Sequence, residues 1–197
     1  MNHGSDRPFL ETRAANFPAL MYCVSFLELL SCLYAGSMRG NDANSAPCKV
    51  KRYAESFMGY TEETVQELAL LFAMFRNKVA HATQPQGVFD PPTEWVPKQW
   101  RNETEWKRVT WTVSPGLRPV AITLGREDGT VDAPPWPLKY EYRCTVSLPL
   151  LAHQIIASAL GENGYLQSLP GDSDARGNFA DCMGDLFPPG ADWMPPS

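Results

Sequence analysis

An apolar run from Phe17 to Gly36, with Glu28 its only charged residue, constrains this chain more than any other feature. A segment of that length and composition either forms a core helix or crosses a bilayer. The residues before it, Asp6, Arg7, Glu11 and Arg13, carry both signs, unlike the basic leader of a secretory signal. A buried core helix is therefore expected, with a membrane anchor as the lesser alternative. Asn16 is its expected N-cap and Pro18 fits the first turn, so residues 1–15 are expected to be loose. Apolar side chains surround nearly the whole helix, which predicts cover on more than one side.

The chain changes character near residue 84. It holds 18 prolines, most of them beyond that point, which predicts a helical first half and a turn-rich second half. Residues 37–48 read as a Gly/Asn/Ser/Pro loop, followed by a short helix from Lys49 to about Met58 and a turn at Gly59-Tyr60. Thr61 is an N-cap, with Glu62 and Glu63 suited to the positive end of a helix over 62–82 that Pro85 and Gly87 end. After an irregular stretch the period becomes two. Val109, Trp111 and Val113, then Val120, Ile122 and Leu124, then Tyr140, Tyr142, Cys144 and Val146 alternate with polar or small residues. Turns at Pro115-Gly116 and Asp128-Gly129 would join them into a three-stranded antiparallel meander over 105–147. A helix from Pro149 to Leu160 follows, with Ser147 as N-cap candidate and a buried face of Leu151 and Ile155 that Ala152, Ile156 and Ala159 extend, then a short helix from Phe179 to Leu186 and a loose Pro188–Ser197 end. The whole reads as one mainly α (α+β) domain of 197 residues: a bundle core over 16–85, the meander, and C-terminal helices over 148–187.

The net charge of −5 argues against tight binding of nucleic acid through many phosphates. It leaves room for a local basic site at Lys49, Lys51 and Arg52, or at Lys98, Arg101, Lys107 and Arg108. The five cysteines, Cys23, Cys32, Cys48, Cys144 and Cys182, are scattered and form no CxxC, so no zinc site and no cofactor are expected. Cys23 and Cys32 read as small core residues, and reduced thiols suit a cytoplasmic protein.

The helix over 62–82 carries the candidate chemistry. At about 100° per residue, Val65, Leu68, Phe72, Phe75 and Val79 form one stripe, while Ala69, Ala73, Asn77 and Ala80 form a second. Such a helix is either internal or at a subunit interface. In the second case a homodimer brings Asn77 and His81 across a two-fold axis from their copies, with Arg76 between the two faces. Arg76, Asn77 and His81 suit phosphodiester cleavage in RNA. A base takes the 2′-hydroxyl proton, an acid protonates the leaving oxygen, and positive charge steadies the pentavalent phosphorus. Lys78, Lys51 and Arg52 are the candidate substrate contacts. Structural roles stand beside these: His81 as a helix C-cap, Asn77 as a buried hydrogen-bond organiser, and Arg76 paired with Glu28. His153 reads as surface or packing, and His3 lies in the loose start.

Arg76-Asn77-Lys78-Val79-Ala80-His81, near the end of an apolar helix and preceded by a long apolar helix and a short basic one, resembles the HEPN superfamily signature. The resemblance covers about residues 16–85, with the 149–160 helix as a fourth bundle member. It implies a helical bundle that dimerises through the motif helices. It also implies metal-independent endoribonuclease chemistry, with Arg76 and His81 catalytic and Asn77 in the polar position. A non-catalytic dimerisation or partner-binding module is the alternative within the same family. The acidic balance and the 105–147 strands depart from the family pattern. Trp111, Tyr140 and Tyr142 are either base-stacking residues or a packed sheet face.

Overall fold

Helix α1 runs from Pro8 to Ala35 in the computed structural model, which describes residues 8–39, 45–79, 88–89, 108–131 and 137–187. The expected start at Asn16 is corrected: the helix begins at Pro8, where a proline supplies a preset φ and has no amide to leave unpaired. Leu20, Val24, Leu27, Leu30 and Leu33 are buried along one side. The other side leaves Tyr22 78% and Phe26 43% exposed. Among the described residues, Phe17–Ala35 is the stretch apolar and long enough to cross a membrane, with mean hydropathy 1.6. Here it serves on one side as a core helix.

Gly36 ends α1 at φ 78°, a conformation that favours glycine, and the Ser37 amide returns to the Cys32 carbonyl at 3.2 Å. Helix α2 spans Ala46–Phe57, one turn earlier than expected, because Pro47 fits its first turn. Helix α3 spans Glu62–Val79. Thr61 caps it, accepting the Thr64 amide at 3.3 Å.

The sheet departs from the expected meander. Its order is β1-β2-β4-β3, from Val88–Phe89 (β1), Val109–Ser114 (β2), Ile122–Val131 (β3) and Leu138–Ser147 (β4). β2 lies parallel to β4, with Trp111 opposite Cys144, and β3 lies antiparallel to β4 at the far edge. The cause is the link between β2 and β3. It does not close a hairpin at Pro115-Gly116 but arches over the end of β4, where Ser147 donates its amide to Ala121 (2.8 Å) and its hydroxyl to Gly116 (2.9 Å). Ser147 is the N-cap residue of the next helix, as expected, but its hydroxyl is spent on the arch and makes no side-chain cap bond.

A second correction lies in β3. Asp128-Gly129 is no turn; both residues are inside the strand, where the register shifts between Arg126 and Gly129. The extra residue is a bulge, and Tyr140 lies against Gly129 so closely that a Cβ there would overlap its phenol. Tyr140, Tyr142, Cys144 and Val146 are buried on alternate positions, as the period of two predicts.

Helix α4 covers Leu148–Leu160 and ends at Gly161, α5 is the short Tyr165–Ser168, and α6 runs Ser173–Leu186. α6 starts earlier than the expected Phe179 because Asp172 caps it, accepting the amides of Asp174 and Ala175 at 2.9 and 3.0 Å. The Asn178 side chain donates to the Tyr34 carbonyl (3.0 Å), which docks α6 on the end of α1. The expected Pro-rich stretch over 85–104 lies largely outside the described residues, and the Pro188–Ser197 end wholly so.

Candidate functional site

Helix α3 carries the motif, and its sequence explains its place. Val65 and every residue from Leu68 to Phe75 are buried within one chain. The small-residue face of Ala69 and Ala73 is therefore filled by this chain's own packing rather than open to a second copy. Phe75 is wedged between Phe17 of α1 (ring centroids 5.9 Å) and Trp111 of β2 (5.2 Å). The helix then continues through Arg76, Asn77 and Lys78 to Val79. The side chains of those four residues, and all of His81, lie outside the described residues.

Sequence reasoning grouped Lys51 and Arg52 with the motif; the structure separates them. Arg52 lies in a cleft of about 240 Å³ with Tyr34, Ala35, Asp172, Asp174 and Asn178. Phe17 marks the motif end of α1 and Tyr34 the Arg52 end. A helix rises about 1.5 Å per residue, so the two places are roughly 25 Å apart along α1. Two carboxylates beside Arg52 also oppose a phosphate. Arg52 thus lies apart from Phe75, the last residue of the motif helix whose side chain is described, and Lys51, its half-buried neighbour in α2, shares its end of the fold.

Lys49 fails as a surface cation for a different reason. It is 2% exposed, and its ammonium donates to the carbonyl oxygens of Ser37 and Arg39, each at 2.7 Å. Asp185 of α6 accepts the Met38 amide of the same segment at 3.1 Å. This lysine fastens the exit of α1.

One titratable group close to the motif helix escaped the sequence reading. Glu67 of α3 accepts the Leu124 amide of edge strand β3 at 3.1 Å. Burial pushes its carboxyl up to about 7, the Leu124 hydrogen bond pulls the other way, and Glu63 one turn earlier adds a like charge. Cys144, opposite Leu124 in the sheet, is pushed up to about 12 by burial and by Glu67. The available signal was an acid four residues after another acid, at the start of an apolar run.

The aromatic residues of the sheet are packed. Tyr140 and Tyr142 are buried, and Trp111 stacks into the Phe17–Phe75 cluster. Arg143 grips Glu127 through Nε (2.7 Å) and Nη2 (2.6 Å) and donates to the Tyr140 hydroxyl at 2.6 Å. His153 is exposed beside a shallow cleft with Phe57, Met58, Gln154 and Asn163. Among the described residues, no three His, Cys, Asp or Glu side chains gather closely enough to hold a metal ion. Comparison of the chain with protein-family models, with curated proteins and with solved structures finds no match.

Proposed function

We propose that this chain is a HEPN-like, metal-independent endoribonuclease of the cytoplasm, working as a homodimer with Arg76, Asn77 and His81 at its cleft. The supporting observation is the position of Arg76. It follows Phe75 directly on α3, a helix that the core holds from Leu68 to Phe75, so the motif is carried on a core-anchored helix.

In this reading His81 of one subunit takes the 2′-hydroxyl proton. The freed oxygen attacks phosphorus, the bond to the 5′ oxygen breaks, and His81 of the second copy protonates the leaving oxygen. The products are a 2′,3′-cyclic phosphate and a 5′-hydroxyl. Arg76 steadies the charge on the phosphoryl oxygens with its planar donors, Asn77 orients the imidazole or the phosphate, and Lys78 adds a phosphate contact. In this reading Ala69 and Ala73, buried within the chain, take no part in the dimer seam.

A second reading, a non-catalytic partner-binding module, is favoured by a different observation. Tyr22 and Phe26 of α1 and Ile156 and Leu160 of α4 stand exposed. Cleavage of mixed RNA in EDTA by wild type, Arg76→Ala and His81→Ala separates the two. All three must first be shown to be folded and equally associated. Cutting that both substitutions abolish supports the nuclease; no cutting by the folded wild type favours the binding module; cutting that survives both overturns the mechanism.

A further inference from the structure

The Lys49 ammonium has three hydrogens to donate, and three acceptors lie round it. Two are the carbonyl oxygens of Ser37 and Arg39. The third is the Cys32 sulfur in the last turn of α1, at 3.9 Å. Fastening the exit of α1 requires the two carbonyls but not the sulfur. Both residues are 2% exposed, so an amine nitrogen and a thiol face each other out of bulk water. The segment over them is thin: Ser37 is half-buried, and Met38 and Arg39 are exposed.

We propose that Cys32 and Lys49 form an oxidative modification site, where hydrogen peroxide builds a reversible sulfur–oxygen–nitrogen bridge between the end of α1 and the start of α2. The thiolate is the form that attacks peroxide, and an adjacent ammonium favours it. Sulfur attacks one peroxide oxygen, the O–O bond breaks, and the leaving hydroxide takes a proton from the Lys49 ammonium. Sulfur has then given up two electrons, leaving a sulfenic acid, a neutral amine and one water. The amine attacks a second peroxide, gives up two electrons and passes a proton to the leaving hydroxide, which yields a hydroxylamine and a second water. Sulfenic acid and hydroxylamine condense: sulfur bonds to the hydroxylamine oxygen, and its own hydroxyl leaves as the third water. Cys182 of α6 is the competing thiol. Burial, Cys32 and Asp185 push it up to about 11, with Lys49 opposing them. A thiol so held is a poor nucleophile near neutral pH, which favours the lysine nitrogen as the partner of an oxidised Cys32.

The bridge is independent of the nuclease reading, and its test uses the full chain without RNA. Folded protein is treated with hydrogen peroxide, remaining thiols are blocked with iodoacetamide, and the digest is mapped by mass. The expected product is a peptide pair joining Cys32 to Lys49, heavier than the separate peptides by one oxygen less two hydrogens. Dithiothreitol should diminish it at least about ten-fold, returning thiol, amine and water. Cys182→Ser should leave the pair in place, and chain unfolded in urea before treatment should not form it. Three states of Cys32 overturn the proposal: a sulfenic, sulfinic or sulfonic acid alone, a disulfide with Cys182, or a thiol unaltered at a dose that oxidises half-buried Cys48. An equal yield from the unfolded chain also overturns it. The wild-type map decides even if Cys182→Ser folds poorly.

Discussion

The Lys49 ammonium lies 2.7 Å from the Ser37 carbonyl oxygen, buried beneath the segment that leaves α1. The same segment is tied from the other side by Asp185 and entered through the left-handed Gly36. A cation here neutralises the carbonyl-rich, negative end of a long helix. Lys49→Met removes the charge and leaves two part-buried carbonyls without their donor. We expect a loss on the order of 2–4 kcal/mol, against under about 0.5 kcal/mol for Lys51→Ala. Urea denaturation checks both, and equal effects would show that Lys49 is no clamp.

Tyr165 is the opposite case. It is fully buried in a ring cluster with Tyr34, Tyr53 and Phe57, and among the described residues its hydroxyl is the buried side-chain polar atom without a hydrogen-bond partner. Tyr165→Phe should be neutral or stabilise by up to about 1 kcal/mol. Tyr53→Phe, which loses the 3.1 Å bond to Ser158, should cost about 1 kcal/mol. Thermal unfolding of the two variants should shift in opposite directions or differ by several degrees.

Gly129 is held by its neighbour across the bulge. Gly129→Ala drives a methyl group into the Tyr140 phenol, which Arg143 fixes from the other side. The expected cost is about 1–3 kcal/mol. In a Tyr140→Ala background the same substitution should cost little, because the colliding ring is gone. A cost that persists in the double variant would place the strain in the backbone instead.

Glu67 makes stability depend on pH in a defined direction. Its carboxyl is raised from an ordinary unfolded value to about 7, so the folded state binds the proton more tightly. The contribution is complete below the unfolded value and is lost as pH rises through about 7. Glu67→Gln should therefore stabilise the protein at pH 8 and do little at pH 4. Denaturation midpoints at the two pH values test this; a larger benefit at low pH would reverse the sign.

What the sequence made legible was local. The apolar length of α1, the Thr61 cap of α3, and the alternation of Tyr140 to Val146 each follow from neighbours within a few residues. The parallel pairing of Val109 with Tyr142 does not, because period-two patterns specify a face but no partner. Asp128-Gly129 has the composition of a turn, yet the fit of Tyr140 over Gly129 makes it a bulge. Lys49 looked like part of a basic surface because residue type says nothing about which carbonyls a fold will bring to it. The candidate site was legible as a motif at a helix end. The separation of Arg52 from that end depended on which end of α1 it packs near, shown by the cleft it shares with Tyr34 and Ala35.

The arch over Ser147 also orders events during synthesis. Strand β2 leaves the ribosome before the strand that pairs with it, and β3 emerges between them. At roughly 5–20 residues per second, Val109 waits on the order of seconds for Tyr142. Until β4 threads between them, two incomplete edges stand open, and the nascent chain is at its most vulnerable to association with its neighbours.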